Sequence, residues 1–385
     1  MLSMRKPITL LTTAAMLWLA IGGCSGRSSS TPGTTAPAGG NGVAGGFKIG
    51  IMTGTVSQGE EDFRAAQQVI AKYDGRVKHV TYPDNFSTEL ETVIAQLTGL
   101  AADPAVKVII VGQAIPGSTA AARKIRETRP DILIGFIGPH EDPDVINTAC
   151  DVAIQPDQLE RGHTIVQNAH AMGAVNFVHY SFPRHMSQML LKQRRDVMEQ
   201  ECKKLGMKFY FVTAPDPTGE SGLPGAQQFI LEDVPRELQK LGPKTAFYST
   251  NDGMQEPMIR AILQHGGYFV EQDVPAPTAG FPAALGLSIP PDKAGDMTYI
   301  NEEITKAVAA KKMSGHFGSW KLPVDMVSIR AITDLLVDAV DKKADFKDMA
   351  TVQKYMEKEA GGPVKIRKYD EKGNQYLVVL DHITY

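Results

Sequence analysis

Residues 77–111 read VKHVTYPDNFSTELETVIAQLTGLAADPAVKVIIV, and this stretch decides the fold. Val77–Tyr82 is a short run rich in β-branched and aromatic residues, which predicts a strand. Pro83-Asp84-Asn85 interrupts it with turn chemistry. Across Thr88–Ala102, the residues Leu90, Val93, Ile94, Leu97 and Leu100 recur at helical spacing and share one face. Val106–Val111 (VKVIIV) is apolar almost throughout, the pattern of a strand covered on both faces in a parallel sheet. Strand, helix and strand in this order form a βαβ unit.

The alternation extends in both directions. Phe47–Met52 (FKIGIM) predicts the first strand, and Glu60–Tyr73 a helix with Phe63, Ala66, Val69, Ile70 and Tyr73 at helical spacing. A helix over Ser118–Thr128, a fourth strand over Asp131–Ile137 and a short fifth at Val152–Ile154 complete one set. A second set follows. Its strands are Val175–Tyr180, Lys208–Thr213, Thr245–Ser249 and Tyr268–Glu271, and its helices are Pro156–Met172, His185–Leu205, Ala226–Leu241 and about 255–265. Pro235 is expected to kink or break the third of these helices. The last third predicts helices over Thr298–Lys312 and Val324–Val340, a crossing strand at His316–Trp320, and a hairpin of Val364–Tyr369 and Tyr376–Ile383. The predicted architecture is α/β: two doubly wound parallel-sheet lobes joined by a hinge. The N-terminal lobe takes 47–155 and 317–345, the C-terminal lobe 156–316, and 346–385 a helix and hairpin packed across both.

Ahead of the folded part stands an address. Arg5 and Lys6 precede an apolar run, Ile8–Ile21, that closes in Gly22-Gly23-Cys24. This order of charge, apolar core and small residues predicts a secretory signal over 1–23. The cysteine after the small residues resembles the lipobox of bacterial lipoproteins, which implies lipidation at Cys24 and a protein outside the cytoplasm, tethered to the cell membrane. Residues 24–46 are almost all Gly, Ser, Thr, Pro and Ala beyond the cysteine, a composition that predicts a flexible linker. The chain is 43% apolar and 22% charged, with a net charge of −3, which leaves no electrostatic footprint for nucleic acid. With Cys24 set aside, Cys150 and Cys202 remain and are expected as buried free thiols.

In open α/β sheets, ligands bind beyond the carboxyl ends of the strands. The residues there are Thr55 and Ser57 after the first strand, Gln113 after the third and His140 after the fourth. In the second set they are Phe182 and Arg184, then Asp216, then Asn251 and Asp252; Trp320 ends the crossing strand. Hydrogen-bonding groups with one or two aromatic faces suit a small polyhydroxylated or heterocyclic solute, with Phe182 or Trp320 stacking on it.

Tyr82-Pro83-Asp84-Asn85, the helix after it and VKVIIVG resemble the N-terminal lobe of type I periplasmic binding proteins of the ribose and galactose kind. Thr245–Asp252 (TAFYSTND) is similar to that family's strand ending in Asn-Asp, whose carboxylate grips the ligand. Asp157 in IQPDQLERG sits where the family enters its second lobe, and Arg184 resembles its arginine at a helix start. Where the family carries Asp-Arg after the fourth strand, this chain has His140-Glu141-Asp142. The resemblance implies a monomeric solute-binding protein that delivers a sugar, nucleoside or similar ligand to an ABC permease, with no cofactor. A ligand-sensing lipoprotein signalling to a membrane receptor is the alternative, and an exported enzyme built on His140, Glu141 and Asp142 a third reading. No catalytic or metal-binding motif supports the third: there is no GxSxG, HExxH or P-loop.

Overall fold

The computed structural model describes residues 46–385 except 57, 87 and 372. The signal, Cys24, the linker and Ser57 therefore lie outside the described residues. The chain opens with β1 (Lys48–Thr53), α1 (Glu60–Lys72), β2 (Val77–Thr81), α2 (Leu90–Ala101), β3 (Val106–Val111) and α3 (Ser118–Thr128). After them come β4 (Leu133–Ile137), the single turn α4 (Pro143–Ile146) and β5 (Val152–Pro156). Next are α5 (Gln158–Met172), β6 (Asn176–Ser181), the short α6 (Pro183–Met186), α7 (Met189–Lys204) and β7 (Lys208–Thr213). Then follow α8 (Gly222–Leu241), β8 (Thr245–Ser249), α9 (Gln255–His265), β9 (Tyr268–Phe269), α10 (Phe281–Leu285) and α11 (Met297–Ala310). The chain ends with β10 (Gly318–Trp320), α12 (Val324–Val340), α13 (Met349–Ala360), β11 (Lys365–Lys368), β12 (Gln375–Val379) and β13 (His382–Thr384).

Two sheets define two lobes. The first runs β11-β12-β5-β4-β3-β1-β2, parallel except for β11, and the second β7-β6-β8-β9, parallel throughout. Period-two alternation explains why the first sheet is buried on both faces. Ile49, Ile51, Val108, Ile110 and Ile154 point to the side covered by Ala65, Ala66 and Val69 of α1 and by Ile329, Ile332 and Leu336 of α12. Met52, Ile109, Val111, Ile134 and Phe136 point to the side covered by Val93 and Leu97 of α2 and Ala121 and Ile125 of α3. The second sheet divides likewise. Phe177, Ala246 and Tyr248 meet Ile165 and Val166 of α5 and Met198 and Cys202 of α7. Val178, Tyr180 and Phe247 share a core with Ile230 and Val234 of α8 and Met258 and Ile262 of α9. Cys150 and Cys202 are buried free thiols.

Three expectations change. α8 runs unbroken through Pro235, because its apolar stripe Ala226, Ile230, Val234 and Leu238 is buried and holds it to the lobe. The predicted last strand is two: β12 and β13, separated at Leu380-Asp381 where the chain changes lobes. The hairpin does not lie across the lobes. β12 pairs in parallel with β5 (Tyr376 opposite Ile154) and extends the first sheet, and β13 alone crosses to pair with β10 (Ser319 opposite Ile383).

Three segments thus join the lobes: Pro156-Asp157, Lys321–Pro323 and Leu380-Asp381. They are tied to one another. Lys321 N donates to Asp381 O at 2.8 Å, and Asp157 N to Val378 O at 2.9 Å. Beneath them Arg161 and Glu271, both wholly buried, pair at 2.8 Å, and the Trp320 indole N–H donates to Glu271 Oε2 at 3.2 Å.

Candidate functional site

Strand order locates the site. The first sheet reverses direction between β1 and β3, and the second between β6 and β8, so a crevice opens beyond the carboxyl end of each. Thr55 and the start of α1 follow β1, and Gln113 follows β3. Phe182, Arg184 and His185 follow β6; Asn251 and Asp252 follow β8. These are the residues that the two lobes turn towards each other.

On the first lobe, α1 brings Glu61 and Asp62 to its first turn and α12 brings Asp325 to its own. Asp62 is 1% exposed, its Oδ2 lacks a hydrogen-bond partner, and Gly112 passes so close that a Cβ there would stand 2.8 Å from it. Burial, then Asp325, then Glu61 push the Asp62 carboxyl well above the usual range, against the Gln113 amide, which pulls it down. Burial followed by Glu61 pushes Asp325 up to about 7. Tyr82, wholly buried, has an unpartnered hydroxyl that feels the charge of Asp62 and Asp325. Its ring meets Phe86 edge-on at 5.6 Å, and Phe86 meets His140 at 6.5 Å, giving this wall an aromatic lining.

On the second lobe, Asn251 accepts from Gly253 N at 3.0 Å and shapes the turn that presents Asp252. Val274 N donates to Asp252 Oδ1 at 3.2 Å. Solvent reaches Asp252, yet protein surrounds it on most sides; burial in the cleft, then Asp273, lift its carboxyl to about 8, with Glu61 and Asp325 of the other lobe adding to the rise. His140 falls to about 4, first through desolvation and then through repulsion by His185 of the other lobe. Asp273 differs from the other acids. Arg194 donates to it at 2.6 Å and Tyr248 at 3.0 Å; against the upward push of burial, the charge of Arg194, then of His185 and Arg161, holds its carboxyl below the usual range. One bond already spans the cleft: the Thr278 hydroxyl donates to Glu61 Oε1.

The residues named from the sequence fare unequally. Thr55, Gln113, His140, Asn251 and Asp252 line the crevices. Arg184 and Asp216 also lie there but grip each other, at 2.8 and 3.0 Å. Phe182 is fully buried beneath His185, its ring 4.1 Å from that imidazole, and Trp320 is 1% exposed, occupied by Arg161 and Glu271. Neither offers a face to a solute; the half-buried ring on the first lobe's wall is Phe86, between Tyr82 and His140. His140, Glu141 and Asp142 do not converge: Glu141 accepts from Thr119 N at 3.2 Å and from the Thr119 hydroxyl at the start of α3, while Asp142 begins α4. Glu61, Asp62, Tyr82, His185 and Asp325 were missed. Acids in the first turn of a helix are common because they complement its dipole, so their positions carried no distinct signal.

Among the described residues, no three His, Cys, Asp or Glu side chains are placed to hold one metal ion, and no helix is long and apolar enough to cross a membrane. A groove of about 510 Å³ lies at the hinge, lined by residues such as Met297, Asn301, Lys321, Leu322 and Ile383. None of the strand-end residues lines it, so the interlobe cleft is the candidate site.

The model of the family described as "Protein of unknown function (DUF3798)" matches residues 47–318. The chain belongs to that family. This DUF3798 chain is a two-lobed α/β protein, and the match ends as it reaches the hinge strand β10. An uncharacterized protein of Treponema pallidum (strain Nichols) is 39% identical over 181 residues, 45% of this chain and 81% of its own. The solved structure of a Clostridium difficile 630 protein, assigned provisionally as a transcriptional regulator, is similar with a TM-score of 0.77 and 24% identity, over 88% of this chain and 99% of its own. The periplasmic binding protein of the arabinose ABC transporter from Shewanella sp. ANA-3, bound to arabinofuranose, gives a TM-score of 0.53 and 14% identity, over 88% and 91%. At these identities the likeness is one of fold, and this DUF3798 chain has the type I periplasmic-binding-protein fold.

Proposed function

We propose that the protein is an extracytoplasmic solute-binding protein, lipid-anchored at Cys24, that captures a small polar solute between its lobes and delivers it to an ABC importer. The observation that carries this reading is the convergence of polar groups from both topological switch points on one cleft, two of them, Asp62 Oδ2 and the Tyr82 hydroxyl, buried without partners. A buried polar group without a partner costs on the order of 1–3 kcal/mol, which a ligand's hydrogen bonds recover. The triple hinge lets the lobes close on the solute, and the solute favours the closed form by binding it better. Residues 1–46 supply the address and tether; the chain acts as a monomer and needs no cofactor.

A thermal-shift screen of the protein against sugars, nucleosides, amino acids and amines tests the binding role. A solute at about 100 Kd should stabilise the fold by roughly 2.7 kcal/mol. The hit should vanish in Asp252→Ala. A panel without hits, or a hit untouched by Asp252→Ala, counts against a cleft receptor. Cys24→Ala should move the protein from membrane to soluble fraction in the native host; continued membrane attachment would refute the anchor.

A further inference from the structure

We infer that the solute carries a cationic group, a protonated amine or guanidinium, seated between Asp252 of the second lobe and Glu61, Asp62 and Asp325 of the first. This deepens the solute-receptor reading and rests on it.

The acids of this cleft differ in whether a counter-charge meets them. Asp273 is compensated by Arg194. No basic side chain acts comparably on Asp62, Asp252 or Asp325: the groups that act on them are one another, Glu61, Asp273, the Gln113 amide and the Val274 N–H. Arg184, the cation nearest by sequence to the second-lobe crevice, is taken by Asp216 in a two-pronged pair. Among the described residues, four carboxyl groups from α1, α12 and the turn after β8 therefore share one cleft in which the cation already present, Arg184, is committed to Asp216.

A second, independent observation points to an occupant. The Tyr82 hydroxyl and Asp62 Oδ2 are both in wholly buried side chains, both lack a hydrogen-bond partner, and both belong to this group of acids. Such atoms are rarely left orphaned in a folded protein. An ammonium or guanidinium group supplies only donors, which is what a carboxylate oxygen and a phenolic oxygen both accept. The half-buried Phe86 ring, set between Tyr82 and His140, adds a face that attracts a cation by its quadrupole.

The geometry also sets the size of the cation. No three of the acids are close enough for one metal ion among the described residues. They are spread across both lobes, with Glu61 already drawn to Thr278 of the opposite lobe. That spacing suits an extended organic cation, whose arrival would replace mutual repulsion between the lobes by attraction and so drive closure.

Matched pairs test the inference on the full-length protein at pH 8.5: putrescine against 1,4-butanediol and choline against 3,3-dimethyl-1-butanol, with agmatine and glucose each tested alone. The charged member of at least one pair should raise the melting temperature while its neutral twin does not. Affinity for that compound should fall at least tenfold in Asp325→Asn, and Tyr82→Phe should weaken it less. If Asp325→Asn fails to fold, Asp252→Asn, at a solvent-reached position, serves instead. Equal shifts from charged and neutral twins, or a hit by glucose alone that Asp325→Asn retains, would overturn the cationic ligand and leave the receptor standing. Silence from every amine overturns the cation inference, and silence from the sugar and nucleoside panel as well removes the receptor reading with it.

Discussion

Arg184 and Asp216, which close the ends of neighbouring strands β6 and β7, are each other's partner: Nε donates to Oδ2 at 2.8 Å and Nη2 to Oδ1 at 3.0 Å. Read singly, each looked like a ligand contact. Together they form a neutral rim, which leaves the acids deeper in the cleft uncompensated. The Arg184 hydrogen bonds hold the Asp216 carboxyl well below the usual range. Its contribution is therefore present above the ordinary carboxylate pKa and is lost only as pH falls through the lower folded value. The guanidinium is 45% exposed, so Asp216→Ala should cost no more than about 1 kcal/mol. A loss well above that in urea unfolding would mean that the pair braces the lobe.

The hinge pair is another matter. Arg161 and Glu271 have no exposed side-chain surface, and Arg161 also donates to Asp273 O and Gln272 O. Removing one partner strands a buried charge. Glu271→Gln or Arg161→Met should each destabilise the protein by about 3–5 kcal/mol, whereas the double replacement should cost less than the sum of the two. Strict additivity in a double-mutant cycle would show that the two do not act as a pair.

His179 should give stability an acid-side slope. It is wholly buried among Phe209, Phe211 and Tyr248 with neither ring nitrogen partnered, and desolvation, followed by Arg194, depresses its pKa to about 3. The folded form keeps the ring neutral while the unfolded form takes a proton below about 6.5. Stability from this group therefore falls as pH drops from about 6.5 towards 3, by up to ~1.4 kcal/mol per unit of pH. His179→Phe should flatten that slope in melting curves taken from pH 7 to 4. An unchanged slope would mean that the imidazole charges without cost.

Asp325 acts with the opposite sign. Its folded pKa of about 7 exceeds the unfolded value near 3.9, so the native state holds the extra proton between them. Stability from this group falls as pH rises through that window. Asp325→Asn should raise the ligand-free melting temperature at pH 8 more than at pH 5. A uniform shift at both would separate Asp325 from the charge crowding.

Gly318 marks the closest backbone approach at the hinge. A Cβ there would lie 2.5 Å from Val270 O and 2.7 Å from His382 Nε2. Gly318→Ala should destabilise the protein by about 1–3 kcal/mol through overpacking of β10 against β13 and the segment after β9. A variant with wild-type unfolding would place that segment further away than it lies here.

Most of the fold was legible because its signals are local. The alternation within VKVIIV, the helical spacing of Leu90, Val93 and Leu97, and the restart of the pattern at residue 156 each need only neighbours along the chain. The errors have one physical origin: burial overrides local preference. Pro235 stays within α8 because that helix buries its stripe, and the run from Tyr376 breaks at Leu380 because its two halves belong to different sheets. Gln113, His140, Asn251 and Asp252 stand just beyond strand ends, where the sequence reading put them. Trp320 was misplaced because its indole was judged without Glu271, which lies far from it in sequence and takes its only donor.

By itself the sequence determined the class of fold, the two lobes and the strand ends at which a cleft would open, since periodicity and turn chemistry are properties of short segments. Only the tertiary structure decided which charges stand close to one another at that cleft. Glu61, Asp62 and Asp325 stand in first turns of helices far apart along the chain, where each alone is an ordinary complement to a helix dipole. Folding brings them within electrostatic reach of one another and of Asp252, and electrostatic character depends on distance through space, which no local pattern records.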